Sequence, residues 1–229
     1  MKTIRQTLIL LTFALFFAAN VTAAPLDERQ RTVETVVADA LAQLPAATAG
    51  DYDKIMGELA ATGAEGVGIL ADMLVPASQG ENAAVEYASF VTAAGREQLR
   101  PAVCEGLLAA LARCKDDANR AFLVSQLQLC ATADNAAALA AYIDDPYLGD
   151  PVLRALISIP DSEATLLSLA RSSDLSDAQR AALAYAFGEK RTAAAEPILL
   201  GWIDGADDAT RAALYPALAS CGTAASAKA

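Results

Sequence analysis

The chain contains no histidine. That removes the commonest general base and the commonest metal ligand together, so Ser-His-Asp and Cys-His nucleophile systems are excluded and the case for a catalytic zinc site is weak. Aromatic residues make up only 6%, with Trp202 the single tryptophan, so a platform for stacking sugars or bases is thinly supplied. Basic residues are also few, 17 Lys and Arg against 28 Asp and Glu. A chain this acidic repels phosphate backbones and has no basic stripe, so nucleic acid is not an expected partner. No stretch alternates apolar and polar residues with period two, so strands are not expected.

Only one long apolar run exists, from Leu8 to Ala19, and it falls short of the roughly 20 residues that span a bilayer. It follows the basic Lys2 and Arg5 and precedes Val21-Thr22-Ala23-Ala24-Pro25, the order of a secretory signal peptide. Residues 1–23 are therefore expected to be removed, with cleavage after Ala23. The first cysteine is Cys104, so none lies near the cut to be lipidated. The expected mature chain is exported to the periplasm or the extracellular space, with no membrane attachment. Losing Lys2 and Arg5 from the 17 basic residues leaves 15 against 28 acidic ones, a net charge of −13.

What the chain does have is a repeated phrase. Asp117-Ala118-Asn119-Arg120-Ala121 recurs as Asp177-Ala178-Gln179-Arg180-Ala181 and Asp208-Ala209-Thr210-Arg211-Ala212, with a looser copy at Asp150-Pro151-Val152-Leu153-Arg154-Ala155. The four arginines are separated by 34, 26 and 31 residues, a period typical of stacked helical arrays. An Asp at a helix start, then an Arg, then an apolar run predicts one N-capped amphipathic helix per copy. Apolar residues at intervals of three and four extend this pattern through Asp27–Leu44 and across 51–61, 64–74, 80–94, 99–114, 117–130, 134–143, 150–158, 161–172, 176–188, 193–204 and 207–220. Short separators predict antiparallel neighbours, so the expected class is all-α, an α-solenoid of helix pairs.

Ala195-Glu196-Pro197-Ile198-Leu199-Leu200-Gly201-Trp202-Ile203-Asp204 resembles the second helix of HEAT-type repeats, and Asp-x-x-Arg-Ala-Ala-Leu resembles their first. The likeness covers 117–220 and is fainter over 24–116. Asn82-Ala83-Ala84-Val85-Glu86-Tyr87, Asn119–Gln128, and Asp150-Pro151 with Arg154-Ala155-Leu156 further resemble the N-terminal helical region of exported bacterial proteins that carry a C-terminal 3-keto-disaccharide hydrolase-type domain. That resemblance implies a HEAT-like arm of a sugar-processing protein. The sugar-active domain is not in this sequence, and no catalytic residue carries over. Mapping Arg180 onto Arg211 carries Thr192-Ala193-Ala194-Ala195 onto Thr223-Ala224-Ala225-Ser226, so 117–229 is expected to hold repeats of which the last is incomplete.

Four cysteines in an exported chain invite disulfides. Cys104 and Cys114 lie about 15 Å apart along one helix and cannot pair. A hairpin at Asp116 would bring Cys104 near Cys130, making that the candidate pair; the other reading is four small core residues. The acidic pairs Asp116-Asp117, Asp144-Asp145 and Asp207-Asp208 could serve acid–base chemistry or calcium, but each sits at a helix start where capping explains it. Gly63, Gly66 and Gly68 follow no strand, so they read as turn and packing glycines and not as a phosphate loop. Trp202 falls at a core position of the HEAT pattern; exposed, it would join Tyr142 and Arg171 as an interaction surface. No catalytic residue, metal or cofactor is expected. The expected function is a non-catalytic scaffold for a protein partner or fused domain; the alternatives are an accessory region of a sugar-processing hydrolase, or a carbohydrate-binding module.

Overall fold

The computed structural model describes residues 31–75, 78–224 and 226. The expected signal peptide at 1–23 and most of the segment that would continue the last repeat lie outside them. Among the described residues every regular element is helical: α1 (Val33–Gln43), α2 (Ala49–Ala61), α3 (Gly63–Asp72), α4 (Gln79–Thr92), α5 (Arg100–Arg113), α6 (Asp117–Cys130), α7 (Ala133–Ala140), α8 (Gly149–Ser158), α9 (Glu163–Ala170), α10 (Asp177–Lys190), α11 (Glu196–Ile203) and α12 (Asp208–Cys221). Single 3-10 turns at Glu97–Leu99 and Ala193–Ala195 lead into α5 and α11. The expected helix at 193–204 is thus a 3-10 turn followed by α11, because Pro197 occupies the first turn of the α-helix proper. No described helix is long and apolar enough to cross a membrane.

Packing runs to the neighbour and the next-but-one neighbour. α1 packs on α3, α3 on α5, α5 on α7 and α7 on α9; α2 packs on α4, then α4 on α6, α6 on α8, α8 on α10 and α10 on α12. The odd-numbered helices α1 to α9 therefore form one row and the even-numbered helices a second, with α11 packed on α12, and their apolar residues make one core from Val37 to Cys221. The closest approaches lie within the rows and are made by glycine. A Cβ at Gly106 of α5 would come within 2.6 Å of the Val67 side chain and 2.8 Å of the Ala64 carbonyl of α3; one at Gly188 of α10 would lie 3.2 Å from Ala217 Cα of α12.

Five of the six even-row helices begin in one way, and the turn ahead of α8 repeats the bond. Oxygens of Thr48, Ser78, Asp116, Asp145, Ser176 and Asp207 accept the backbone N–H three residues on, at 3.1, 3.2, 2.9, 3.2, 3.2 and 2.7 Å. In the five capped helices this removes an orphan donor from the first turn, whereas α8 starts after Leu148 with no side-chain cap. The spacings are 30, 38, 29, 31 and 31 residues, so the pattern reaches back to α2, where the Asp/Arg phrase is absent. The phrase itself does a different job from the one expected. Its Asp is the first helical residue, not the cap, and pairs with the Arg one turn on: Asp117–Arg120 at 3.0 Å, Asp177–Arg180 at 3.4 Å and Asp208–Arg211 at 3.3 Å. Such pairs are worth about 0.2–0.5 kcal/mol each.

Burial fixes the register of the four C-terminal even-row helices. Leu123, Val152, Leu183 and Leu214 are buried, as are Leu127, Leu156, Phe187 and Leu218, while Ser125, Arg154, Tyr185 and Pro216 are exposed between them. Arg154 thus aligns with Ser125 and Tyr185 and not with Arg120; the position matching Arg120 in α8 is Gly149. The looser fourth copy of the phrase is a coincidence of residue types, out of phase with the core.

Side chains then tie each helix end to the next layer. Tyr87 Oη donates to the Leu59 carbonyl at 3.2 Å, Arg113 donates to the Gly68 carbonyl and pairs with Asp72, and Asn119 reaches the Leu74 carbonyl at 3.1 Å. Buried Lys190 donates to the Ile159 carbonyl at 2.9 Å and pairs with Glu163 at 3.3 Å. A cation over the closing carbonyls of α8 is favourably placed for the helix dipole.

The glycines predict opposite responses to one substitution. Gly106→Ala drives a methyl into Val67 and costs about 1–3 kcal/mol. Gly201→Ala in α11 meets nothing within 4 Å and gains about 0.5–1 kcal/mol. Urea denaturation of the two variants reads the difference; equal responses would contradict the packing described.

Candidate interaction surface

Tyr142, Arg171 and Trp202 lie at corresponding places, just past α7, at the C-cap of α9 and in the last turn of α11, the C-terminal ends of odd-numbered helices. Arg171 is exposed; Tyr142 and Trp202 are half-buried and pack against the core, each with an edge toward solvent. Trp202 therefore falls between its two sequence readings, neither enclosed nor freely displayed.

Tyr142 belongs to a polar joint that the sequence reading did not find. Arg120 of α6 spans to the turn between α7 and α8, where it pairs with Asp145 at 2.7 Å while holding Asp117 at 3.0 Å, and its guanidinium lies 5.9 Å from the centre of the Tyr142 ring. Asp145 also accepts the backbone N–H groups of Tyr147 and Leu148 at 3.0 and 3.2 Å. The Tyr147 N–H and then Arg120 hold its carboxyl below the usual aspartate range. Its neighbour Asp144 accepts from Gln179 of α10. Asp116 and Asp207 cap α6 and α12. The acidic pairs thus divide their labour between capping and pairing, and every one of these carboxylates has a structural partner.

Two further features escaped the sequence. Between α8 and α10 runs a largely apolar cleft of about 170 Å³, walled by Leu153, Leu169, Leu175 and Leu183 with Gln179 at its mouth. Glu196, the first residue of α11, accepts from the Thr223 N–H at 2.7 Å, the Thr223 hydroxyl at 2.9 Å and the Ser226 N–H at 3.2 Å. These bonds, the Thr223 N–H foremost, hold its carboxyl below the usual glutamate range. The Glu-Pro dipeptide that starts the helix is visible in the sequence; a partner 27 residues away is not.

All four cysteines are free thiols. Cys104 of α5 and Cys130 of α6 are buried with their sulfurs 3.7 Å apart, and Cys104 Sγ also donates to the Cys130 carbonyl at 3.5 Å. The sulfur–sulfur hydrogen bond favours ionisation of Cys104, helped by the charge of Arg100, and opposes ionisation of Cys130, whose burial opposes it further. Among the described residues no group of three or more His, Cys, Asp or Glu is arranged to hold a metal ion.

Comparison of the chain with protein-family models, curated proteins and solved structures gave no match.

The lowered carboxyls set the direction of the acid response. Asp145, Asp207 and Glu196 titrate below their ordinary values in the folded chain. Their stabilisation is complete above the unfolded carboxylate range, about pH 4, and is lost as pH falls through the lowered values. The urea midpoint is expected to change little between pH 7 and 5 and to drop below pH 4. Asp145→Asn should lower the neutral midpoint and flatten that drop; an unchanged acid slope would contradict the assignment.

Proposed function

We propose that the chain is an α-solenoid of HEAT-like helix pairs that serves as an exported, non-catalytic protein-interaction scaffold. The observation that carries this reading is the packing. Apart from a small contact between α1 and α4, substantial contacts join only helices one or two places apart, the nearest-neighbour pattern of repeat arrays. The capping oxygen at five of the six even-row starts and the Asp–Arg pair in three of those helices support a repeating unit. Pro197 in the first turn of α11 agrees with the HEAT-type second helix.

Function on such a scaffold resides in its surface. The paired carboxylates are engaged in caps, hydrogen bonds and ion pairs, a role in stability and not in turnover. Half-buried Tyr142 and Trp202 and exposed Arg171 are of residue types favoured in protein interfaces. The partner is a protein or a fused domain, met outside the cytoplasm.

Affinity capture from the cell envelope with the tagged full chain tests this. A specific protein should be retained, and Tyr142→Ala with Arg171→Glu should weaken retention at least ~10-fold, the scale of a lost hot spot. Retention of no protein by the unaltered chain would overturn the scaffold reading, and undiminished retention by the variant would overturn the surface assignment.

A further inference from the structure

We propose that Cys104 and Cys130 form a disulfide site whose oxidation staples α5 to α6. The geometry is that of a pair one small sulfur movement from bonding, 3.7 Å apart on adjacent helices and enclosed on all sides. Cys114 and Cys221 have no such neighbour among the described cysteines: Cys114 Sγ donates to the Asp116 carbonyl, and Cys221 lies at the end of α12. Four small core residues scattered for packing alone would not bring two sulfurs into contact across a helix hairpin.

The chemistry is thiol–disulfide exchange with an external disulfide, either oxidised glutathione or a protein disulfide. The Cys104 thiolate attacks one sulfur of that oxidant, forming a mixed disulfide and releasing one thiol. The Cys130 thiolate then attacks the Cys104 sulfur, forms the Cys104–Cys130 bond and expels the second thiol. Two chain thiols are oxidised, one external disulfide is reduced, and the two protons pass to the released thiols. Cys104 is the attacking group because its ionised form is the one the site favours. Both sulfurs are covered once the helices dock, so the exchange belongs to folding or to transient opening of the hairpin.

The bond falls where the repeat is least regular. The caps on either side of this hairpin's first arm, Ser78 and Asp116, stand 38 residues apart, while the other spacings run from 29 to 31. A covalent link across 26 residues would join the two arms of the hairpin there. The proposal rests on the export reading for its oxidising surroundings, so the test keeps the two separate.

The full chain, unfolded and reduced, is refolded with a mixture of oxidised and reduced glutathione, then alkylated and mapped by mass spectrometry without reductant. One linked peptide joining Cys104 to Cys130, with Cys114 and Cys221 alkylated, is the expected result. Four alkylated cysteines, or any other linkage, would overturn it. Comparing the oxidised and reduced forms of the same chain removes any doubt about variant folding, and the melting temperature should be higher by roughly 5–10 °C when oxidised. The Cys114→Ser, Cys221→Ala chain should keep that response to reductant and the Cys104→Ala, Cys130→Ala chain should lose it; the reverse pattern would overturn the assignment. A chain that forms the bond in refolding yet is recovered reduced from its own cells supports the site and overturns export.

Discussion

Helices of eight to fourteen residues do not hold their shape alone in water, so everything in this molecule depends on each helix burying a face against the next helix in its row. The sequence meets that demand with small residues. Gly106 lets α5 settle on α3 at a distance no side chain would permit, and Gly188 lets α12 pack tightly on α10. The alanines buried along the even row, among them Ala155, Ala184, Ala186 and Ala217, serve the same close stacking. Because the core is continuous along the rows, no single pocket organises the fold.

The capping oxygens complete that arrangement. A helix that starts one residue early or late turns its apolar face by 100° and loses the row. Thr48, Ser78, Asp116, Ser176 and Asp207 set that start with one side-chain bond each. The Arg120–Asp145 joint and the Lys190 contacts then fasten one layer to the next.

Much of this was legible in the sequence, because caps and three-four periodicity are local signals. Helix positions follow from them to within a few residues, and the hairpin at Asp116 puts Cys104 beside Cys130 by counting from the turn. What could not be read is what depends on partners far along the chain. Two adjacent aspartates look equally able to cap, and only the fold shows Asp116 capping while Asp117 pairs with Arg120. Arg154 matches the repeated phrase in residue type but not in burial phase, since α8 starts at Gly149 and places Arg154 where α6 has Ser125. The Glu196–Thr223 contact and the cleft between α8 and α10 have no local signature at all. Function was the least legible link, because no motif in the sequence fixes a reaction or a ligand.

The central claim is that two rows of helices stack into an extended array with no single centre. Small-angle X-ray scattering from the mature chain tests it directly. A compact globule of about 206 residues has a radius of gyration near ~17 Å. The account predicts a clearly larger radius and an asymmetric distance distribution with a long tail. A radius at the globular value with a symmetric distribution would contradict it.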